Sequence, residues 1–164
     1  MLKKLRATSI AVLAFAMAAT GATSSATPGS GFAPSVVVNG HFDSLSQMTD
    51  KTGKWDLSIK SKGDTDVGTD WLSIAAGGYS GWHTHPAPVF VTVTSGSIVW
   101  YDGSNPICAP HTYSAGESFV EPAGRNHYVR NASTSATAEY VAIRMNPTGV
   151  PFRQDAPKPS GCDF

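Results

Sequence analysis

The stretch "GESFVEPAGRNHYVRN", residues 116–131, decides the fold. "ESFVE" and "HYVRN" have the β-branched and aromatic content of short strands, and the "PAG" between them is a turn signal. His127 follows that turn directly. Upstream, "GWHTHPAPVFVTVTSG", residues 81–96, places His83 and His85 one residue apart. In a strand running from Trp82 to Thr94 the odd-numbered residues share a face: His83, His85, Val89, Val91 and Val93. Val91 and Val93 read as core lining, so both histidines are aimed into the interior, provided that Pro86 and Pro88 do not break the pleat.

Working outward, the same texture continues. "KWDLSIKSKG", "DWLSIAAGG", "VFVTVTSGSIVWYDG" and "AEYVAIRM" are strand-like, with turn residues every eight to twelve positions. No segment holds a helical period for three turns, and no internal repeat is visible. The expected class is therefore all-β, a sandwich or barrel. The tail 147–164, "PTGVPFRQDAPKPSGCDF", is too rich in proline for a central strand and is expected to cross the outside of the barrel.

The first 26 residues read as a secretory signal peptide. Lys3, Lys4 and Arg6 form a basic start, "SIAVLAFAMAA" is an apolar run too short to span a bilayer, and small residues follow. Cleavage after Ala22 or Ala26 fits the small-residue rule, and Ala16-Met17-Ala18 is a third place for it. Export leaves nine basic against twelve acidic residues, a net charge of −3. That balance offers no basic footprint for nucleic acid and no polybasic patch for a membrane surface. The two cysteines, Cys108 and Cys162, would meet an oxidising compartment and pair. Such a bridge contributes about 4 kcal/mol on the chain-entropy model and ties the tail to the body. Residues 27–35, "TPGSGFAPS", are expected to be a flexible spacer, residues 36–65 an N-terminal arm with strands, and residues 66–146 the barrel.

Gly116, Pro122, Gly124, His127 and Asn131 follow the order G-x5-P-x-G-x2-H-x3-N, which resembles the second motif of the cupin superfamily. The first motif, G-x5-H-x-H-x3,4-E-x6-G, is matched by the Gly77-Gly78 pair, with Gly78 one residue out of the strict count, and by His83, His85 and Gly96. Its glutamate is missing, and Val89 stands there. The resemblance covers residues 66–146. It implies a cupin-type double-stranded β-barrel, a jelly roll, with one divalent transition metal (Fe, Mn, Cu, Zn or Ni) held by His83, His85 and His127.

Without the glutamate, three neutral imidazoles leave the full +2 on the ion, a stronger Lewis acid that takes an anionic or chelating oxygen ligand. Three-histidine cupins known as dioxygenases have this ligand set, so Val89 does not abolish chemistry. Glu121 is the candidate replacement: a fourth ligand, a hydrogen-bond partner for a ligating histidine, or a general base. The competing reading is a solvent-facing glutamate at the rim, because the Pro-Ala-Gly turn scrambles parity. The functional expectation is a secreted metal-binding cupin, an oxygenase or lyase-type enzyme with Glu121 as its catalytic residue, acting on a small oxygenated molecule. The alternatives are a non-catalytic cupin that holds a metal or small anionic ligand, and an inert scaffold. The resemblance also implies a homodimer.

Other residues carry less. His111 reads as a loop histidine and His41 as part of the arm. Trp82, Phe90, Trp100 and Tyr128 read as barrel core. Arg125 and Arg130 flank His127 and either meet an acidic substrate or sit on a solvated rim. Asn131-Ala-Ser is a glycosylation sequon by pattern only.

Overall fold

The computed structural model describes residues 26–48 and 53–163. The expected signal peptide, apart from Ala26, lies outside them. Among the described residues there is no helix. Twelve strands run in chain order: β1 (Ser30–Phe42), β2 (Ser46–Met48), β3 (Ser58–Lys60), β4 (Thr65–Tyr79), β5 (His83–Thr84), β6 (Val89–Ser95), β7 (Ser97–Asp102), β8 (Pro110–Ser114), β9 (Ser118–Glu121), β10 (His127–Asn131), β11 (Ala138–Pro147) and β12 (Gln154–Asp155). Strands β2 and β3 form a small separate ribbon, and the other ten make one antiparallel sheet that curls into a barrel. The all-β jelly-roll expectation holds.

Alternation builds the interior. Val89, Val91 and Val93 are buried while Phe90 and Thr92 face out, and Ala138, Tyr140 and Ala142 repeat the pattern on β11. With Leu72, Ile74, Ile98, Trp100 and Val129 they form the main core. Each buried valine stabilises the fold by about 1.5–3 kcal/mol. Strand β7 is buried on both faces. Ile98 and Trp100 enter the main core, whereas Val99 and Tyr101 join Trp82 and the Cys108–Cys162 disulfide in a second cluster outside the barrel wall.

Four expectations need correction. The strand expected from Trp82 to Thr94 is two strands, β5 and β6, separated at Pro86 and Pro88, neither of which can donate to a ladder. The inward parity nevertheless survives the break, since His83, His85 and Val89 are all buried. Of the aromatics expected in the barrel core only Trp100 is there: Phe90 lies on the even, outward face and is 45% exposed, and Trp82 and Tyr128 pack in the second cluster. The stretch 27–35 is not a loose spacer, because Thr27 Oγ1 accepts from the Trp82 amide and the chain from Ser30 pairs with β4. Nor is the tail confined to the outside: β12 pairs with β5, the histidine strand, in the register Asp155↔His83 and Gln154↔Thr84.

Candidate metal centre

Backbone pairing converges the three histidines. His127 opens β10 directly opposite His83 on β5, so their rings sit 4.2 Å apart between centroids. The turn Pro122-Ala123-Gly124 delivers His127. Its last residue adopts a left-handed φ of 66°, which glycine accommodates, and the Gly124 amide donates to the His85 carbonyl at 2.8 Å. His85 stands just past β5, its ring stacked on Phe152 of the tail at 4.3 Å.

Each ring is oriented by the same device. Nδ1 of His83 lies 2.9 Å from the Gly81 carbonyl, Nδ1 of His85 2.9 Å from the Phe152 carbonyl, and Nδ1 of His127 2.8 Å from the Arg125 carbonyl. A carbonyl only accepts, so each Nδ1 carries the hydrogen and each Nε2 is left as the lone-pair donor. One ligand nitrogen from each of the three buried residues falls within 4.8 Å of the others. His127, fully buried, has no hydrogen-bond partner for Nε2.

Glu121 closes the cluster. It is 4% exposed, with Oε2 3.2 Å from Nε2 of His85 and Oε1 3.4 Å from Nε2 of His127. The second contact is ionic only when Nε2 of His127 also carries a proton, the form that Glu121 favours in the absence of an ion; deprotonated, that nitrogen has no hydrogen-bond partner and is free to bind a metal. Two ligands bonded to one ion at about 2.1 Å, at angles near 90–110°, stand about 3.0–3.4 Å apart. The carboxylate has that spacing from two of the three histidines and stands beside the three-histidine group, and the residues present fit a transition-metal ion: imidazole nitrogens with fixed tautomers, a buried carboxylate next to them, and an orphaned ring nitrogen. The rim reading of Glu121 is excluded.

The charges follow the packing. Burial opposes ionisation of Glu121, but the His127 charge and the contacts with His127 and His85 outweigh it and hold the carboxyl far below its ordinary range. Burial likewise works against protonation of His127, yet Glu121 overrides it and raises that pKa. His83 is pushed well below 6.5, first by burial and then by the neighbouring His127 charge. Tyr140 is driven well above 10 by burial and by Glu121, so its hydroxyl stays neutral.

Above the cluster opens a cavity of about 580 Å³, a volume suited to a small molecule. His83, His85, Val89 and Glu121 lie at its floor, Leu72, Tyr140 and Phe152 supply walls, and Phe32 and Pro34 of β1 close one side. Chain pattern alone missed three of its polar residues: Asp70, Arg144 and Arg153. Arg144 was within reach, since it shares the even, buried face of β11 with Tyr140 and Ala142. Phe152 and Arg153 had no periodic signal, because the tail has none.

A model of the Cupin domain family matches residues 70–144, the segment that carries all three histidines and Glu121. The chain belongs to the cupin superfamily. Among solved structures, a cupin-2 domain from Rhodospirillum rubrum is 13% identical, with a TM-score of 0.51 over 79% of this chain and 68% of that one. A cupin-like protein from Thermotoga maritima is 15% identical, with a TM-score of 0.48 over 56% of this cupin and 65% of its own chain. A polyketide cyclase from Streptomyces resistomycificus is 14% identical, with a TM-score of 0.47 over 58% and 64%. This cupin thus spans less than two thirds of the Thermotoga and Streptomyces proteins, and at such identities the likeness is one of fold. No curated protein matches the chain significantly.

The remaining candidates lie elsewhere in the cupin. His111 is exposed on β8, and its ring lies 5.9 Å from that of Trp100, its cross-strand partner on β7. His41, on β1, bonds Asp66 at 3.0 Å. Arg125 pairs with Asp102 at 2.8 Å, and Arg130 donates to the Tyr101 hydroxyl at 3.0 Å, so neither lines the cavity. Asn131 is buried, and its amide donates to the carbonyls of Ile74, Ala75 and Ala136. That bonding leaves the sequon no free amide nitrogen for a glycan.

Proposed function

We propose that this protein is an exported metal-dependent enzyme, of the oxygenase or lyase type, acting on a small oxygenated molecule. The observation that carries the reading is the position of Glu121: a buried carboxylate beside two histidine nitrogens at the floor of a cavity, where a binder alone has no need of a base. In this arrangement His83, His85 and His127 hold the ion, with Glu121 as a fourth ligand or as the base beside it. The bound ion supplies a Lewis-acid centre that polarises a substrate oxygen. Glu121, ionised, accepts a proton from a substrate atom placed against Oε1 or Oε2. Tyr140, held neutral, donates a hydrogen bond into the cavity, and the apolar walls exclude water. The Cys108–Cys162 bridge is compatible with an extracellular destination and supports export as expected from the N-terminal sequence.

The test is elemental analysis of protein purified from its secretion medium, with His127→Ala and Glu121→Gln beside it. One equivalent of a transition metal, lost in His127→Ala, supports the centre. Full metal content in His127→Ala, or wild-type protein that regains no metal on titration, sinks it. Given a metal centre, retained metal with lost turnover in Glu121→Gln assigns the base role. Lost metal in that variant assigns the ligand role.

A further inference from the structure

The polar end of the cavity away from the histidines is built around one arginine. Arg144 is 9% exposed, and its guanidinium is fixed on several sides. Nε donates to Asp70 Oδ2 at 2.8 Å, Nη1 donates to Asn146 Oδ1 at 3.2 Å, and the Phe152 ring lies 5.0 Å from Cζ. On the remaining side is Gly68, the residue paired with Arg144 across β4 and β11. A Cβ at position 68 would come within 2.6 Å of Cζ, so the guanidinium occupies the space that glycine leaves.

That packing does not use up the donors. A guanidinium has five N–H groups, and among the described residues only Asp70 and Asn146 accept from it. Asp70 grips Nε alone, and its Oδ1 is buried without a partner, so the pair is not the two-pronged fork that would occupy the outer edge. Nη2 and one hydrogen of Nη1 are left without a protein acceptor among the described residues, on a side chain that lines the cavity and is 11% exposed. A permanent cation with a free donor edge in a largely buried wall suits an anion whose two oxygens can accept from both nitrogens.

The register places this edge opposite the metal centre. Arg144 pairs with Val89, and Val89 pairs with Glu121, so the three side chains form one inward row across β11, β6 and β9. Val89 is the apolar middle of that row. Phe152 joins the two ends on another side, stacked on His85 and lying against Arg144.

We propose that Arg144 is the anchor for a substrate carboxylate: the ligand places an anionic oxygen pair on the free Nη1/Nη2 edge, lays an apolar body over Val89 and Phe152, and presents its other oxygen-bearing end to the histidine cluster. The inference rests on the metal-centre reading for that second end only. It narrows the substrate to carboxylic acids that carry a second oxygen function some carbons away.

The test is calorimetry with zinc-loaded protein and a series of linear dicarboxylates, malonate to pimelate, against monocarboxylates and ω-hydroxy acids of equal length. One dicarboxylate length should bind at least tenfold tighter than its monocarboxylate. Arg144→Met should erase that advantage with zinc content unchanged, and Gly68→Ala, which keeps the charge but displaces the fork, should reduce it. Equal affinities across the three series, or an advantage that survives Arg144→Met, overturns the anchor and leaves the metal centre standing. Wild-type protein that takes up no zinc sinks the metal reading instead. The anchor is then read from hexanoate binding to zinc-free protein: binding that Arg144→Met abolishes upholds it, and binding that is absent or indifferent to the substitution overturns it.

Discussion

Val89 and Glu121 face each other across β6 and β9 as directly paired residues, both buried and both pointing into the barrel. The carboxylate absent from the first strand is thus present on the neighbouring one. Directly opposed side chains have Cβ atoms about 4.5–5.5 Å apart, a gap that the longer glutamate side chain spans. A divalent ion held by the three histidines would therefore have a carboxylate beside it, and the net charge of that centre would be about +1 instead of the +2 expected from Val89 alone.

The relocation predicts a rescue. Glu121→Ala should weaken metal binding by about 10–100-fold, the range seen when a ligand or its close partner is removed. Adding Val89→Glu to that variant should recover most of the loss, because the new carboxylate starts from the cross-strand position. Competition against a chromogenic chelator measures both. A double variant no better than Glu121→Ala would show that position 89 cannot reach the ion.

The pH dependence of the metal-free protein follows from two histidines with opposite shifts. His127 is raised above 6.5, so its contribution is full below 6.5 and is lost as pH climbs through the raised value. His83 is lowered, so its cost sets in as pH falls below 6.5, where the unfolded chain takes up the proton and the folded chain resists. Glu121, lowered from 4.5, keeps its contribution throughout that range and loses it only in stronger acid. Stability of the metal-free form should therefore peak near pH 6.5. His41, raised by Asp66 at the surface, adds a solvent-screened contribution with the sign of His127. Denaturant midpoints between pH 5 and 9 in the presence of a chelator test this, with His127→Gln as the comparison. The alkaline decline should flatten in that variant, and a decline of unchanged slope would exclude His127 as its source.

Much of this site was legible in the chain, and the limits have physical causes. The spacing of His83, His85 and His127 with the Pro122-Ala123-Gly124 turn specified fold and cluster, because a jelly roll brings β5 and β10 together at fixed register. Glu121 was not decidable, since strand parity is broken by the turn that follows it and pairing with Val89 is a non-local fact. Arg144 lay on a face that alternation marks as inward. Its tolerance there depends on Gly68 and on Asp70, the latter 74 residues away, and no local pattern announces that. Phe152 could not be foreseen at all, because a Pro-rich tail has neither period to read.

The tail is predicted to couple the disulfide to the metal. Cys108–Cys162 pins the segment that carries the Phe152 carbonyl, and that carbonyl fixes the His85 ring. Cys162→Ser should cost about 2–5 kcal/mol of stability and should also weaken metal binding, measured well below the new melting temperature. Phe152→Ala keeps the carbonyl and removes only the ring stack, so it should affect metal binding less. If Cys162→Ser bound metal with wild-type affinity, the bridge would be a stability device alone.

Asn131 gives the last prediction, on the fold rather than the site. Its amide donates to three carbonyls, Ile74 and Ala75 on β4 and Ala136 in the turn before β11, while its Oδ1 accepts from the Ser133 amide at 2.8 Å. Removing it takes all four bonds away, at about 1–3 kcal/mol for each buried group that is thereby left unsatisfied. Asn131→Ala should therefore destabilise the protein by several kcal/mol, an unusually large loss for one polar side chain. Expression in a glycosylating host should give no added mass at this sequon once the chain has folded, because a modified amide could not donate to the carbonyls it now serves. Intact-mass measurement decides it: a glycan on folded, soluble protein would mean that the brace from β10 to β4 is dispensable.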